Sequence, residues 1–259
     1  MRNELKVTIL QSDLFWENPD ANRRMFSEKI NNIAEKTDII VLPEMFTTGF
    51  TMNALALAEA ESSKTLDWMK NQANKKNSAI VGSFIVSEKK FFYNRLFFVE
   101  PNGNHYTYDK RHTFTLANEH QTYTSGKNLL IINFLGWKIC PLICYDLRFP
   151  VWSRNTYNYD ILIYVANWPQ KRIYAWDTLL RARAIENMAY CIGVNRTGKD
   201  ENTIDYNGHS AIYDVLGKQL TTENYEGNFS ETIILEKTHI ESKRAHFQFL
   251  SDRDHFTLN

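Results

Sequence analysis

Hydrophobic and polar positions alternate along the chain in two rhythms, one of period two and one of period near 3.6. Residues 5–10 (LKVTIL) read as a first strand, and residues 38–42 (DIIVL) form an unbroken apolar run, the pattern of a strand buried on both faces. Between them Asn18-Pro19 supplies a capping side chain and a first-turn proline, and Phe26, Ile30, Ile33 and Ala34 follow at helical spacing. A second helix is predicted over 63–76, and strands over 79–86 and 91–100. The turn Pro101-Asn102-Gly103-Asn104 then leads into a returning strand over 105–110. Residues 137–144 and 160–166 read as buried strands. Residues 173–189 read as a helix with Leu179, Ala182, Ile185 and Ala189 on its apolar face, followed by a strand over 190–195. Asp214-Val215-Leu216-Gly217 marks a late hairpin turn and 232–235 a last strand. Strands interleave with helices early and tight hairpins recur, which fits a layered, sheet-rich α/β structure better than a strictly doubly wound one. No repeat, linker or low-complexity tract interrupts the pattern, so residues 1–259 read as a single domain.

Composition narrows the class. Thirty lysines and arginines balance thirty aspartates and glutamates, and the pI is near 7.1, which argues against a nucleic-acid binder. A hydrophobic content of 43%, with 16 Phe, 13 Tyr and 6 Trp, is enough for a sizeable core. Three cysteines, an odd number, exclude a disulfide scaffold. Cys140 and Cys144 on one extended segment would stand ~13 Å apart, too far to bridge. No run of ~18 apolar residues is present to span a membrane, and MRNELKVTILQSDLFW lacks the apolar stretch of a secretory leader. The expectation is a reduced, cytoplasmic protein. The dinucleotide glycine fingerprint is absent, Gly126-Lys127 lacks the upstream glycine of a P-loop, and the seven histidines show no metal-ligand spacing.

Three reactive side chains share one placement, at the end of a predicted strand. Glu44 follows DIIVL directly, where Pro43 stops the ladder and leaves the carboxylate at the sheet's carboxyl end, the usual place for sites in open α/β sheets. Cys144 ends another apolar run and passes at once into the turn-like YDLRFP, so the Tyr145 backbone N–H comes next. Lys110 closes the returning strand in YDKRHTF. Singly, each has an ordinary reading: a loop glutamate, an inert core thiol, a solvated lysine. Together they make a chemical unit. A thiol becomes a nucleophile when a neighbouring base takes its proton or a cation stabilises its thiolate. A carboxylate beside a second carboxylate can be that base. A lysine and a backbone N–H can hold a tetrahedral oxyanion, at ~3–4 kcal/mol per donor.

The order Glu44, Lys110, Cys144 in the settings LPEMFTTGF, YDKRHTF and CYDLRFPVWSRN, followed by YVANWP and RARAIEN, resembles the nitrilase (carbon–nitrogen hydrolase) superfamily over nearly the whole chain. These motifs are most similar to its bacterial omega-amidase branch. The resemblance implies a four-layer α-β-β-α sandwich that dimerises into an eight-layer one. It also implies a Glu-Lys-Cys catalytic set with no metal and no organic cofactor. Glu119, nine residues past Lys110, matches a further glutamate of the set, whose role would be to orient Lys110 and tune the basic carboxylate. Its plain alternative is a surface loop carboxylate. Where many relatives have glutamate after Arg-Phe-Pro, this chain has Val151.

The branch implies hydrolysis of the terminal amide of a dicarboxylate monoamide, such as alpha-ketoglutaramate or succinamate, through a Cys144 thioester, with Lys110 and the Tyr145 N–H on the oxyanion. The substrate's second carboxylate requires a cation or amide donors. Arg148, Arg172 and Lys171 are the candidates, and Arg148 reads equally well as half of a buried ion pair. Phe114, Trp168 and Tyr145 would wall the pocket and Asn167 would add a polar contact. His112, beside the lysine, is a further candidate to shape the pocket, while His209 reads as ordinary strand content. Within the superfamily the alternatives are an aliphatic amidase, an N-carbamoyl amino-acid hydrolase and a nitrilase. Outside it stand a Cys–His hydrolase using His112 or His209 and a non-catalytic binding protein. Residues 244–259 (RAHFQFLSDRDHFTLN) are aromatic enough to dock on the body or on a dimer partner.

Overall fold

The computed structural model describes residues 2–60, 62–223 and 226–258. Its first sheet is built from β1 (Glu4–Gln11), β2 (Ile39–Val41), β3 (Ala79–Glu88), β4 (Phe91–Val99) and β5 (His105–Asp109). The second holds β6 (Ile132–Phe134), β7 (Trp137–Ile143), β8 (Ile161–Ala166) and β9 (Tyr190–Asn195). A separate hairpin of β10 (Thr197–Lys199) and β11 (Asp205–Asn207) follows; β12 (Ala211–Tyr213) then completes the second sheet, and β13 (Phe229–Glu236) returns to the first. The strand orders are β13-β1-β2-β3-β4-β5 and β12-β9-β8-β7-β6. In each sheet three neighbouring strands, β1-β2-β3 and β7-β8-β9, run parallel and aim their carboxyl ends the same way.

Alternation along the strands assigns the faces. Leu5, Val7 and Ile9 of β1, with Val41, Val81, Leu96 and Phe98, join one core with Ile139, Ile161 and Ile163 of the second sheet. The opposite face, with Leu10, Ile40, Ile80, Phe84 and Phe97, packs on Phe26, Ile30, Leu66 and Met69. Those four come from α1 (Pro19–Asn31) and, after the single turn α2 (Ala54–Leu57), from α3 (Lys64–Lys76). Short turns α4 (Glu119–Thr122) and α5 (Pro150–Ser153) precede α6 (Ile173–Asn187), whose Trp176, Leu180 and Ala184 cover the second sheet. The last helix, α7 (Lys237–Phe247), follows β13. The layers are therefore α-β-β-α, as expected of a nitrilase-type sandwich. Burial of each large side chain in these interfaces contributes about 1.5–3 kcal/mol.

Local signals set the helix ends. Asn18 accepts from Ala21 N–H at 3.1 Å with Pro19 in the first turn, and Ser63 accepts from Leu66 N–H at 3.3 Å. Four details differ from the sequence reading. Helix α1 stops at Asn31, so Ala34 lies beyond it and is exposed, while Ile33 is buried. Helix α6 ends at Asn187 and buries Trp176, Leu180, Arg183, Ala184 and Asn187, turning Ile185 outward with 46% exposure. The buried face was hidden because it includes polar residues that spend their donors inside the fold: Arg183 Nη2 donates to the Leu147 carbonyl at 2.6 Å. His209 lies between β11 and β12 at φ 58°, outside any strand. β13 runs eight residues, because it pairs with the whole of β1.

Of residues 244–259, the first four finish α7. Arg253 then donates to Asn158 Oδ1 at 3.0 Å. Phe256 and Leu258 line a groove of about 570 Å³ with Leu129, Trp152 and Tyr157. Asn259 is outside the described residues. Among the described residues, no helix is long and apolar enough to cross a membrane.

Candidate active site

Glu44 sits three residues beyond β2, on a loop pinned to β3. Met45 N–H donates to Ser83 Oγ at 2.8 Å and Phe46 N–H to the Ser83 carbonyl at 3.0 Å. Gly82 permits this approach: a Cβ there would stand 2.9 Å from the Phe46 ring and 3.1 Å from Leu42 Cβ. Lys110 follows β5 directly, its N–H donating to the Asn94 carbonyl at 3.0 Å, and Gly126 N–H donates to the Lys110 carbonyl at 2.8 Å. A Cβ on Gly126 would lie 2.1 Å from the Asp109 carbonyl oxygen, so only glycine lets this segment cover the lysine.

Cys144 leaves β7 at φ 42°, a left-handed backbone that a non-glycine residue adopts only when its surroundings enforce it. Asp146 provides that enforcement. Its Oδ2 accepts from Ile143 N–H at 3.1 Å and Tyr108 Oη at 2.8 Å, while its Oδ1 accepts from His112 N–H at 3.0 Å. One buried carboxylate thus ties the cysteine turn of the second sheet to the lysine segment of the first. The Tyr145 N–H lies in the first turn of the short helix 144–148, where an N–H has no carbonyl partner within the helix.

The two sheets bring these side chains to one point. Lys110 Nζ donates to Glu44 Oε1 at 2.9 Å and to both Glu119 oxygens at 3.0 and 2.9 Å. Glu44, Lys110 and Glu119 are all buried, so Glu119 is not a surface carboxylate. The Asn167 backbone N–H donates to Glu44 Oε2 at 2.8 Å, and the Cys144 thiol lies close enough to feel Glu44 and Lys110. Burial works to lower the Lys110 pKa, but Glu119 and Glu44 together overcome it and hold the ammonium charged well above its usual range. Burial pushes Glu119 up, opposed by Lys110 and aided by Glu44. Burial and then Glu44 push the Cys144 thiol up, so the resting group is a thiol that needs a base.

A cleft of about 550 Å³ opens above the thiol, lined by Glu44, Lys110, Cys144, Tyr145, Phe114, Arg148, Asn167, Trp168 and Arg172. Arg148 is exposed, its guanidinium 4.9 Å from the Trp168 ring centroid, and Arg172 stands 5.1 Å over Phe114. Among the described residues neither arginine has a carboxylate partner, so the buried ion pair considered for Arg148 is not formed. Lys171 is exposed and does not line the cleft. Asn167 Nδ2 donates to the Glu44 carbonyl at 2.6 Å, so its amide nitrogen holds the glutamate rather than awaiting a ligand. His112 is bonded to Asp146 and stacked on Phe149, and His209 is bonded to Asp177. Neither histidine lines the cleft, so the Cys–His arrangement is not built.

Sequence reasoning missed several neighbours. Trp16, Phe50 and Met52, from loops, and Tyr206, from the three-residue strand β11, complete the cleft wall from segments too short or irregular to carry a periodic signal. Asn94, inside β4, donates to Glu44 Oε1 at 2.8 Å and reaches Glu119 Oε1 at 3.5 Å. Among the described residues, no three His, Cys, Asp or Glu side chains converge as a metal-holding set.

A double-sheet sandwich with an ammonium between two buried carboxylates beside a thiol is an arrangement suited to attack on a carbon–nitrogen bond. Residues 6–238 match the carbon–nitrogen hydrolase family model, and the chain belongs to that family. It is 43% identical to Omega-amidase YafV of Yersinia enterocolitica over 98% of both chains. It is 34% identical to 2-oxoglutaramate amidase of Bacillus subtilis over 88% of each. The fold superposes on XC1258 of Xanthomonas campestris, a CN-hydrolase superfamily protein, with a TM-score of 0.97 and 38% identity over 100% of both chains.

Proposed function

We propose that the protein hydrolyses the terminal amide of short dicarboxylate monoamides, alpha-ketoglutaramate and succinamate, to the dicarboxylate and ammonia. The observation that carries this reading is the cleft itself: the Glu44–Lys110–Glu119 cluster beside the Cys144 thiol, and two arginines that have no carboxylate partner among the described residues on the wall above. The omega-amidase and 2-oxoglutaramate amidase relatives support the same chemistry.

In this mechanism Glu44 takes the Cys144 proton as sulfur bonds to the amide carbon, and the carbonyl electron pair moves onto oxygen. Lys110 and the Tyr145 N–H stabilise that oxyanion, and Glu119 holds Lys110 in place. The oxyanion collapses, the C–N bond breaks and Glu44 returns its proton to the departing ammonia. Water, deprotonated by Glu44, then attacks the thioester, and sulfur leaves to recover its proton. Arg148 and Arg172 receive the free carboxylate, while Phe114 and Trp168 hold those guanidiniums from behind.

Assembly and location belong to the same reading. A homodimer forming an eight-layer sandwich is supported by the outward apolar face of α6, where Tyr174 is 83% exposed and Ile185 lies near Gly217 of the 214–217 turn. The 244–258 segment docks on the body through Phe256 and Leu258, in the groove with Leu129, Trp152 and Tyr157. Three free cysteines suit a reducing cytoplasm.

Ammonia release from alpha-ketoglutaramate and succinamate, with glutamine, an aliphatic nitrile and an N-carbamoyl amino acid alongside and Cys144→Ala protein as blank, tests the reading. Turnover of the two monoamides alone, lost with Cys144, is the expected outcome. Preference for the nitrile or the carbamoyl compound would move the substrate class, and activity surviving in Cys144→Ala would sink the thioester route.

A further inference from the structure

The side chain of Asn94 is buried in mid-strand, where β4 faces the glutamates, and it has two unusual properties. Its Nδ2 reaches both carboxylates, at 2.8 Å to Glu44 Oε1 and 3.5 Å to Glu119 Oε1. Its Oδ1 is buried and, among the described residues, has no hydrogen-bond partner. An unsatisfied buried carbonyl is unfavourable, and an apolar residue of similar size would avoid it. The amide is therefore explained by what its nitrogen does.

Around Glu44 the donors divide between the two oxygens. Oε1 accepts from Lys110 Nζ and Asn94 Nδ2, which occupies both of its in-plane directions. Oε2 accepts the Asn167 N–H at 2.8 Å and, at 3.5 Å, Asn167 Nδ2, and the Cys144 thiol feels both Glu44 and the Asn167 N–H, which puts it on the Oε2 side. Oε2 thus has one short donor where Oε1 has two, and a proton arriving there displaces only the long Nδ2 contact. The charged and titratable groups around this carboxylate are Lys110, Glu119 and Cys144, with the Tyr123 hydroxyl behind them.

We infer that Asn94 is a positioning residue that saturates Glu44 Oε1 together with Lys110, so that Oε2 alone takes the Cys144 proton and aims it at the departing nitrogen. In the first step the S–H bond breaks, the proton bonds to Oε2, and the sulfur pair forms the bond to the amide carbon. The inference rests on the amidase reading for its substrate but not for its first test, which needs only the thiol.

That test is alkylation of Cys144 by iodoacetamide, followed by peptide mass against pH in wild type, Asn94→Ala and Asn94→Leu. Removing an N–H aimed at an ionised carboxylate favours its protonated form. The acid limb of the alkylation profile is therefore expected to move up by about one pH unit in both variants, so that the rate at a pH on that limb falls about tenfold. Asn94→Leu fills the same volume without the orphaned carbonyl, so its thermal midpoint should match or exceed wild type while alkylation still slows. Asn94→Asp, which adds a third carboxylate, should slow it further. An acid limb unmoved in Asn94→Leu, with the fold intact, would overturn the inference. Ammonia release by the same proteins gives a separate readout: a shifted alkylation limb without monoamide turnover by wild type would retain Asn94's role and reject the substrate.

Discussion

The floor and the wall of the cleft handle charge in opposite ways. At the floor, Lys110, Glu44 and Glu119 are buried and every charged atom has a partner within 3.0 Å. On the wall, Arg148 and Arg172 lie over the rings of Trp168 and Phe114 with no carboxylate in reach among the described residues. Buried ions must be satisfied by the protein because water cannot reach them. An arginine held over an aromatic face keeps its edge donors free for a planar anion. On the proposed reading the floor is complete before substrate arrives, and the wall is completed by it. This is the division expected when proton transfer is preorganised and specificity is left to binding.

The contrast is broken most severely at the floor. Lys110→Met leaves two carboxylates facing each other out of water and is expected to cost about 3–5 kcal/mol of stability besides abolishing turnover. Urea unfolding and ammonia release check the two effects; a variant as stable as wild type would mean the cluster is less desolvated than its geometry requires. On the wall the effect is smaller and of another kind. Arg172→Ala, or Arg148→Ala, should raise KM for succinamate by roughly ten- to a hundredfold, the loss of about 1.5–3 kcal/mol of charge-assisted hydrogen bonding, with kcat little changed. A fall in kcat at constant KM would place that arginine with the reacting atoms instead.

The mildest prediction sharpens the picture of the floor. Burial raises the Glu119 pKa above its usual 4.5, with Lys110 opposing and Glu44 adding. A carboxyl raised in the folded state binds its proton more tightly there, so its contribution is full below 4.5 and declines as pH climbs through the raised value. Glu119→Gln removes that decline. Its stability relative to wild type should therefore improve as pH rises from 4.5 through the raised value and level off above it, measured by unfolding at a series of pH values. Parallel curves for the two proteins would contradict the raised carboxyl.

How much of this was legible in the sequence depended on whether a residue's role was written in its immediate neighbours. Glu44 and Cys144 each follow an apolar run and Lys110 ends the returning strand over 105–110, so the strand reading put all three at strand ends, and the motifs around them carried the family resemblance. The sandwich layers follow from β1 and β2, whose alternating side chains fill two different cores. Asn94 left no such trace: a polar residue within FFYNRLFFV looks like the solvent side of a strand, and only the arrival of the Glu44 loop across β3 makes that side interior. The face of α6 failed for the related reason that Arg183 and Asn187 are buried by hydrogen bonding, which hydrophobicity does not report. Asp146 was visible as a turn residue, but its reach to Tyr108 and His112 spans the two sheets.

The left-handed backbone at Cys144 has a consequence for which chemistries this scaffold can acquire. At φ 42° a side chain branched at Cβ crowds its own backbone, so threonine is disfavoured at this position. Serine and alanine, unbranched and small, can occupy the turn that Asp146 holds. The elbow thus favours a single-atom change, sulfur for oxygen, over a branched replacement, and ties the identity of the reactive atom to the geometry of the chain that presents it.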